Sequence, residues 1–179
     1  MKQLIPAVNS NDHSYGNPNA AIELVEYGDY QCPYCGRAHP IVKRIQQKLG
    51  KDLRFVFRNF PLSKIHPQAF NAAVATEAAG LQDKFWEMHD IVFENQKRLD
   101  EEGFALFGRL IGLDPERFQD DRENTALITK VEQDFESGLR SGVNRTPSFY
   151  INGKKYEGSW EESDLLRYLQ SMLTGALIL

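Results

Sequence analysis

The spacing of apolar residues switches repeatedly between a period of two and a period near 3.6 along this chain. Residues 21–27 (AIELVEY) alternate and are rich in β-formers, which predicts a strand with Ile22, Leu24 and Glu26 on one face. Gly28 and Asp29 end it. Ala38, Ile41, Val42, Ile45 and Leu49 then recur at helical spacing, and Gly50 supplies a stop. Pro40 lies inside this helix and is expected to kink it. Residues 53–60 (LRFVFRNF) predict a second strand with Leu53, Phe55 and Phe57 on one face.

From 62 to 142 the period is helical throughout. An Ala-rich segment covers 67–80, and 84–96 carries Phe85, His89, Val92 and Phe93 on one stripe. Phe104, Phe107, Leu110 and Ile111 make a short helix stopped by Gly112. Asp114-Pro115 reads as a cap followed by proline at the first helical position. Leu127, Val131, Phe135 and Leu139 mark a longer helix. β signals return at 148–151 and 154–157 around Asn152-Gly153, a strong hairpin signal. Ser159 with Glu162 predicts a capping box, and Leu165, Leu166, Leu169, Met172 and Leu173 form the stripe of a last helix. A two-strand piece and a hairpin are each marginal alone. Together they predict one α/β sheet domain over 18–61 plus 143–175, interrupted by a helical insertion domain over 62–142.

Composition narrows the function. The 179 residues suit one domain with a sizeable insertion, large enough to bury a core without disulfide staples. A net charge of −4 lacks the basic footprint of a nucleic-acid binder or of a polybasic membrane anchor. No run approaches the roughly 18 apolar residues of a membrane span, and the apolar end at 175–179 is far too short to anchor anything. The stretch 1–14 has no apolar core of the secretory kind. The expectation is therefore a cytoplasmic chain, or a periplasmic one whose signal has been removed.

The two cysteines, Cys32 and Cys35, sit three apart and staple almost no chain, which tilts the pair from structure toward chemistry. Cys32 falls at the start of the first helix, where unpaired N–H groups and a partial positive charge favour a thiolate. Pro33 fits the first helical turn. Cys35, one turn on, should be the more buried and more protonated partner, placed to resolve a mixed disulfide formed at Cys32. The competing reading, half a zinc site, lacks a second cysteine pair, and the four histidines offer no H-x₃₋₅-H spacing. No metal and no cofactor are expected.

Glu23 to Cys35 (ELVEYGDYQCPYC), Arg58 to Leu62 (RNFPL), the helical insertion and the stretch RTPSFYING from Arg145 together resemble the DsbA family of thioredoxin-fold proteins. The resemblance runs from Asn17 to Leu173. It implies a thioredoxin-like fold with an inserted all-helical domain and a thiol–disulfide oxidoreductase acting on protein or peptide thiols and disulfides, recycled by an unidentified redox partner. It places the active-site motif on Cys32, Pro33, Tyr34 and Cys35, and the family's cis-proline on Pro147, with Thr146 presenting backbone groups to an extended substrate. On base rates alone Thr146-Pro147 reads as an ordinary trans bond at a strand start. The family's buried acid falls on Glu26, expected to help deprotonate Cys35; the alternative is a solvated edge glutamate. Pro33-Tyr34 is closer to the glutaredoxin pair than to the histidine-containing motif of strong oxidants, which suggests a milder potential. It also keeps open a small-molecule or glutathione-dependent enzyme beside a non-catalytic peptide-binding module.

Other positions carry weaker expectations. His66-Pro67 reads as a helix-start turn, with an overhang of the active site as the alternative. His39 reads as a solvated helix residue, although it stands one turn past Cys35. Phe85, Trp86 and Met88 read as core. Tyr30, Tyr34 and Trp160 are placed as an apolar rim around Cys32, and Lys154-Lys155 as a solvated strand edge.

Overall fold

The computed structural model describes residues 2–175; 176–179, most of the apolar C-terminal stretch, lie outside the described residues. Five strands form one mixed sheet: β1 (His13–Gly16), β2 (Ile22–Gly28), β3 (Leu53–Asn59), β4 (Ser148–Ile151) and β5 (Lys154–Lys155). Their spatial order is β1-β3-β2-β4-β5. β2 runs parallel to β3, joined by the crossover helix α1 (Pro33–Leu49), and every other pairing is antiparallel. Five helices fill the insertion: α2 (Ala69–Gly80), α3 (Phe85–Glu94), α4 (Glu101–Leu110), α5 (Pro115–Asp121) and α6 (Thr125–Ser141). The last helix is α7 (Glu162–Thr174).

Strand alternation explains the two-sided core. Ile22 and Leu24, with Phe55, Phe57, Phe149 and Ile151, face α1 and α7, and this cluster continues without a break into α2, α3 and α4. Val25, Tyr27, Val56 and Tyr150 face the other way and are covered by Phe60, Phe135 and the N-terminal segment at Leu4. A sheet buried on both faces reads as a near-continuous apolar run, as β2 and β3 do. The helix α2 is buried on nearly every side, from Ala69 to Ala79, because its alanines let neighbouring helices approach all round. Asp114 caps α5 as predicted, accepting from the Arg117 N–H at 2.8 Å, with Pro115 in the first turn.

Several expectations are corrected. The strand β1 has no counterpart in the apolar pattern of the sequence, because its four mostly exposed residues carry too little of one to announce it. The predicted strand 154–157 is only Lys154–Lys155, and Lys155 is not a solvated edge: its side chain is buried and its ammonium donates to the Gly142 carbonyl at 3.0 Å. Gln3 bridges to Lys154 on that edge. Ser159 is no helix cap. The cap position falls on Glu161, whose N–H donates to the Ser159 hydroxyl at 3.2 Å, leaving Glu162 inside the helix to pair with Arg44 and Lys48. Leu139 and Met172 are exposed rather than core; Leu139 borders a groove of about 920 Å³ with Ile65, Phe70 and Phe135. The helix α1 continues past Pro40 to Leu49, where Gly50 ends it as expected.

Candidate active site

The turn between β2 and α1 is organised by Asp29, fully buried at the carboxyl end of the strand. Its Oδ1 accepts from the N–H groups of Gln31 (2.8 Å) and Cys32 (3.1 Å). Its Oδ2 accepts from the Leu62 N–H and lies 2.8 Å from His66 Nδ1. The sequence marks Asp29 as a strand terminator and His66 as a helix-start turn that could overhang the active site; the structure joins the two. For Asp29 the available signal is an acid three residues before a helix N-cap cysteine; for His66, 37 residues from Asp29, no spacing supplies one.

Cys32 is the N-cap of α1, with Pro33 in the first turn. The Cys32 residue is 4% exposed and Cys35 is fully buried. Both are free thiols. The pair is electrostatically asymmetric. The hydrogen bond from Cys35 lowers the Cys32 pKa most, burial opposes it, and Thr146 with the N–H groups of Cys35 and Tyr34 adds to the effect, bringing the thiol down to about 5. Burial raises Cys35 well above the ordinary thiol value, and the proton it gives to Cys32 and the charge of Glu26 hold it there. The Asp29 N–H is the one backbone donor opposing that shift, 3.4 Å from Cys35 Sγ.

Opposite the pair, the Thr146–Pro147 peptide bond is cis. Cys32 Sγ lies 3.6 Å from the Thr146 carbonyl. The Thr146 hydroxyl is buried without another partner, free to donate to an ionised sulfur. Beside them opens a cleft of about 430 Å³ lined by Tyr34, Thr146, Pro147, Tyr156 and Trp160. Tyr34 is 59% exposed at its mouth. Tyr30 does not share that rim: it is buried between Phe57 and Phe93, with its hydroxyl 3.0 Å from His89 Nδ1. Phe85 and Met88 are core and Trp86 is partly buried against it.

Glu26 is buried and points with Ile22 and Leu24 into the main core, not to solvent. Its Oε1 has no hydrogen-bond partner. Burial, then the charge of Cys32, pushes its pKa up to about 8. His39 is also buried rather than solvated, stacked on Phe93. It meets His89 and Asp90 of α3, with ligand atoms within 4.8 Å of one another. Fifty residues separate the two histidines, so no spacing in the sequence signals this cluster. Lys43 holds Asp90 Oδ2 at 2.6 Å, which already pairs the cluster's carboxylate with a positive charge.

A parallel βαβ unit with a dithiol at the crossover helix, facing a cis-proline loop, defines the thioredoxin fold class. The family model described as Thioredoxin matches residues 8–171, and the chain belongs to that family. Among solved structures it is similar to a thioredoxin-like oxidoreductase from Silicibacter pomeroyi, at 29% identity and a TM-score of 0.82 over 94% of this chain and 95% of that one. BdbD from Bacillus subtilis superposes with a TM-score of 0.80 at 24% identity, covering 92% of this chain and 94% of that one. The DsbA-type arrangement, a thioredoxin fold with a helical insertion, is therefore the fold of this chain. Among curated proteins it is 37% identical over 173 residues to a Na(+)/H(+) antiporter, NhaA 1, of Mycolicibacterium gilvum; the match covers 96% of this chain but 28% of that protein. The chain thus spans just over a quarter of the length of such relatives. Among the described residues no helix is long and apolar enough to cross a membrane.

Proposed function

We propose that this chain is a thiol–disulfide oxidoreductase that exchanges disulfides with protein or peptide substrates through Cys32 and Cys35. The observation that carries the reading is the asymmetry of the pair. An acidified sulfur sits at a helix N-terminus against the Thr146 carbonyl, with a sealed, protonated thiol behind it. In the reducing direction the Cys32 thiolate attacks a substrate disulfide. A bond forms between Cys32 Sγ and one substrate sulfur, and the other substrate sulfur leaves as a thiolate. Glu26 then takes the proton of Cys35. The Cys35 thiolate attacks Cys32 Sγ, closing the Cys32–Cys35 disulfide and releasing the second substrate sulfur as a thiolate. Oxidation is the reverse.

Thr146 and Pro147 hold the substrate. The Thr146 carbonyl and neighbouring backbone lie where an extended peptide would add as a strand, and Tyr34 and Trp160 flank it. The helical block 62–142 acts as the inserted unit that seals Cys35 and Glu26 from the far side. In the antiporter relatives the shared quarter is by this reading a redox module, and ion antiport is not proposed for this chain.

The test is a trap. Cys35→Ser should accumulate a mixed disulfide with a reducible protein such as insulin, while Cys32→Ser should form none and reduce none. A Cys32→Ser variant that retains insulin reduction would remove the assignment. The exposed Tyr34 and the modest cleft favour a second reading, a glutathione-dependent enzyme. Rapid turnover of a glutathione mixed disulfide with no reduction of insulin would select it.

A further inference from the structure

Behind the dithiol a small cavity of about 10 Å³ separates Glu26 from the surface. That is about the smallest space that holds one water molecule. Two buried carboxylate oxygens without hydrogen-bond partners, Glu26 Oε1 and Asp90 Oδ1, belong to residues lining it. His39 and His89 line it too, and His39 Nε2 stands 3.6 Å from Asp90 Oδ1. Asp90 and its partner Lys43 reach solvent. Carboxylates without partners are costly to bury, and Glu26 and Asp90 both line this one water-sized space, which points to a shared occupant.

Resting on the reading of Glu26 as the base for Cys35, we propose that this cavity is the proton exit of the active site. A water held there passes protons between Glu26 and the His39–His89–Asp90 cluster, which hands them to solvent beside Lys43. No covalent bond changes in the path. One proton leaves Cys35 for Glu26, and one proton leaves Glu26 for solvent, per disulfide closed. Burial and neighbouring positive charge keep both histidines easily deprotonated, so either accepts a proton only in passage. The groups that set the balance are Cys32 at the N-cap of α1, Cys35, His39 and Lys43 on α1, His13 and Tyr15 on β1, Tyr30 in the turn, and His89 and Asp90 on α3. At neutral pH Glu26 stands mostly protonated and must discharge outward before it receives the proton of Cys35. The exit therefore lies in line with resolution.

The experiment mixes reduced protein with an aromatic disulfide (Ellman's reagent) in a stopped-flow instrument with a pH indicator. The first thiolate released reports attack by Cys32, and the second, with one proton, reports resolution by Cys35. Val42→Ile puts an extra methylene into the cavity wall, and Asp90→Asn removes the outer acceptor. Each should leave the first phase unchanged and slow the second phase and the proton together by about tenfold at pH 7. The gap should close above pH 9, where Glu26 is already ionised; a merely structural defect would slow the second phase at every pH. Glu26→Gln separates the two claims. If it leaves the second phase unchanged, the reading of Glu26 fails and the exit with it. If it slows that phase while Val42→Ile and Asp90→Asn, both folded by circular dichroism, do not, the exit alone is overturned. Stoichiometric zinc retained on the purified protein would make the cluster a metal site and overturn it as well.

Discussion

At the scale of single residues, the site is a set of groups whose surroundings move their protons apart. Cys32 sits low because Cys35 donates to it, so removing that donor has a defined consequence. The alkylation rate of Cys32 in the reduced protein should follow a titration centred near pH 5. In Cys35→Ala the midpoint should move up by about one unit or more. A midpoint that stays in place would assign the acidification to the helix N-terminus alone. Glu26 has the opposite sign from an ordinary carboxylate. Its folded pKa is raised from 4.5 to about 8, so its protonated form favours the native state. That stability is complete below the unfolded value and is lost as pH rises through about 8. Glu26→Gln should therefore resist urea better than the parent at pH 9, with the advantage gone near pH 5. An equal difference at both pH values would mean that Glu26 is not titrating in this range.

At the scale of elements, the helical insertion touches the dithiol turn directly through the side chain of Gln96. The Gln96 amide, just past α3, donates to the carbonyls of Tyr30 and Cys32 at 2.9 Å each. Gly36, in the first turn of α1, leaves the room: a Cβ there would collide with that amide. Gly36→Ala and Gln96→Ala should therefore behave alike. Each removes the Gln96 donor from the Tyr30 carbonyl and leaves the Cys32 carbonyl only its bond from the Gly36 N–H, at a cost of about 1–3 kcal/mol in urea unfolding. Combined, they should cost little more than one alone; full additivity would show that they act separately. This contact was not legible in the sequence, where Gln96 is one polar residue at a helix end. What was legible follows from periodicity and turn chemistry: the alternation that buries Ile22, Leu24 and Glu26, the Asp114-Pro115 cap and the Cys32-to-Cys35 spacing on a first helical turn. What was not legible depends on partners distant in sequence. His39 looked solvated because its burial is made by Phe93 and His89, and β1 is a strand only because β3 offers an edge.

At the scale of the whole molecule, the N-terminal segment is fastened across the back of the sheet by one buried ion pair. Arg58 of β3 meets Asp12 through two hydrogen bonds, Nε to Oδ1 at 2.7 Å and Nη2 to Oδ2 at 2.9 Å. Its remaining donors reach the Tyr27 hydroxyl and the carbonyls of Pro6 and Ala7. Both side chains are nearly sealed from solvent. Tyr27 in turn bonds to Ser137 of α6, so strand, insertion and N-terminal segment share one network behind β2. A buried pair of this kind adds little against an apolar replacement of the same shape, yet breaking it from one side strands a charge. Asp12→Ala leaves the Arg58 guanidinium buried without its carboxylate and should cost about 3–5 kcal/mol in urea unfolding. Replacing both residues with apolar ones should recover most of that loss. Because the network lies on the face of β2 opposite Glu26 and Cys35, the Cys32 alkylation midpoint should stay near 5 in the single variant under conditions where it remains folded. A large stability loss with an unmoved midpoint places the staple in the scaffold, whereas a midpoint that moves with Asp12 would show that the two faces of the sheet are coupled.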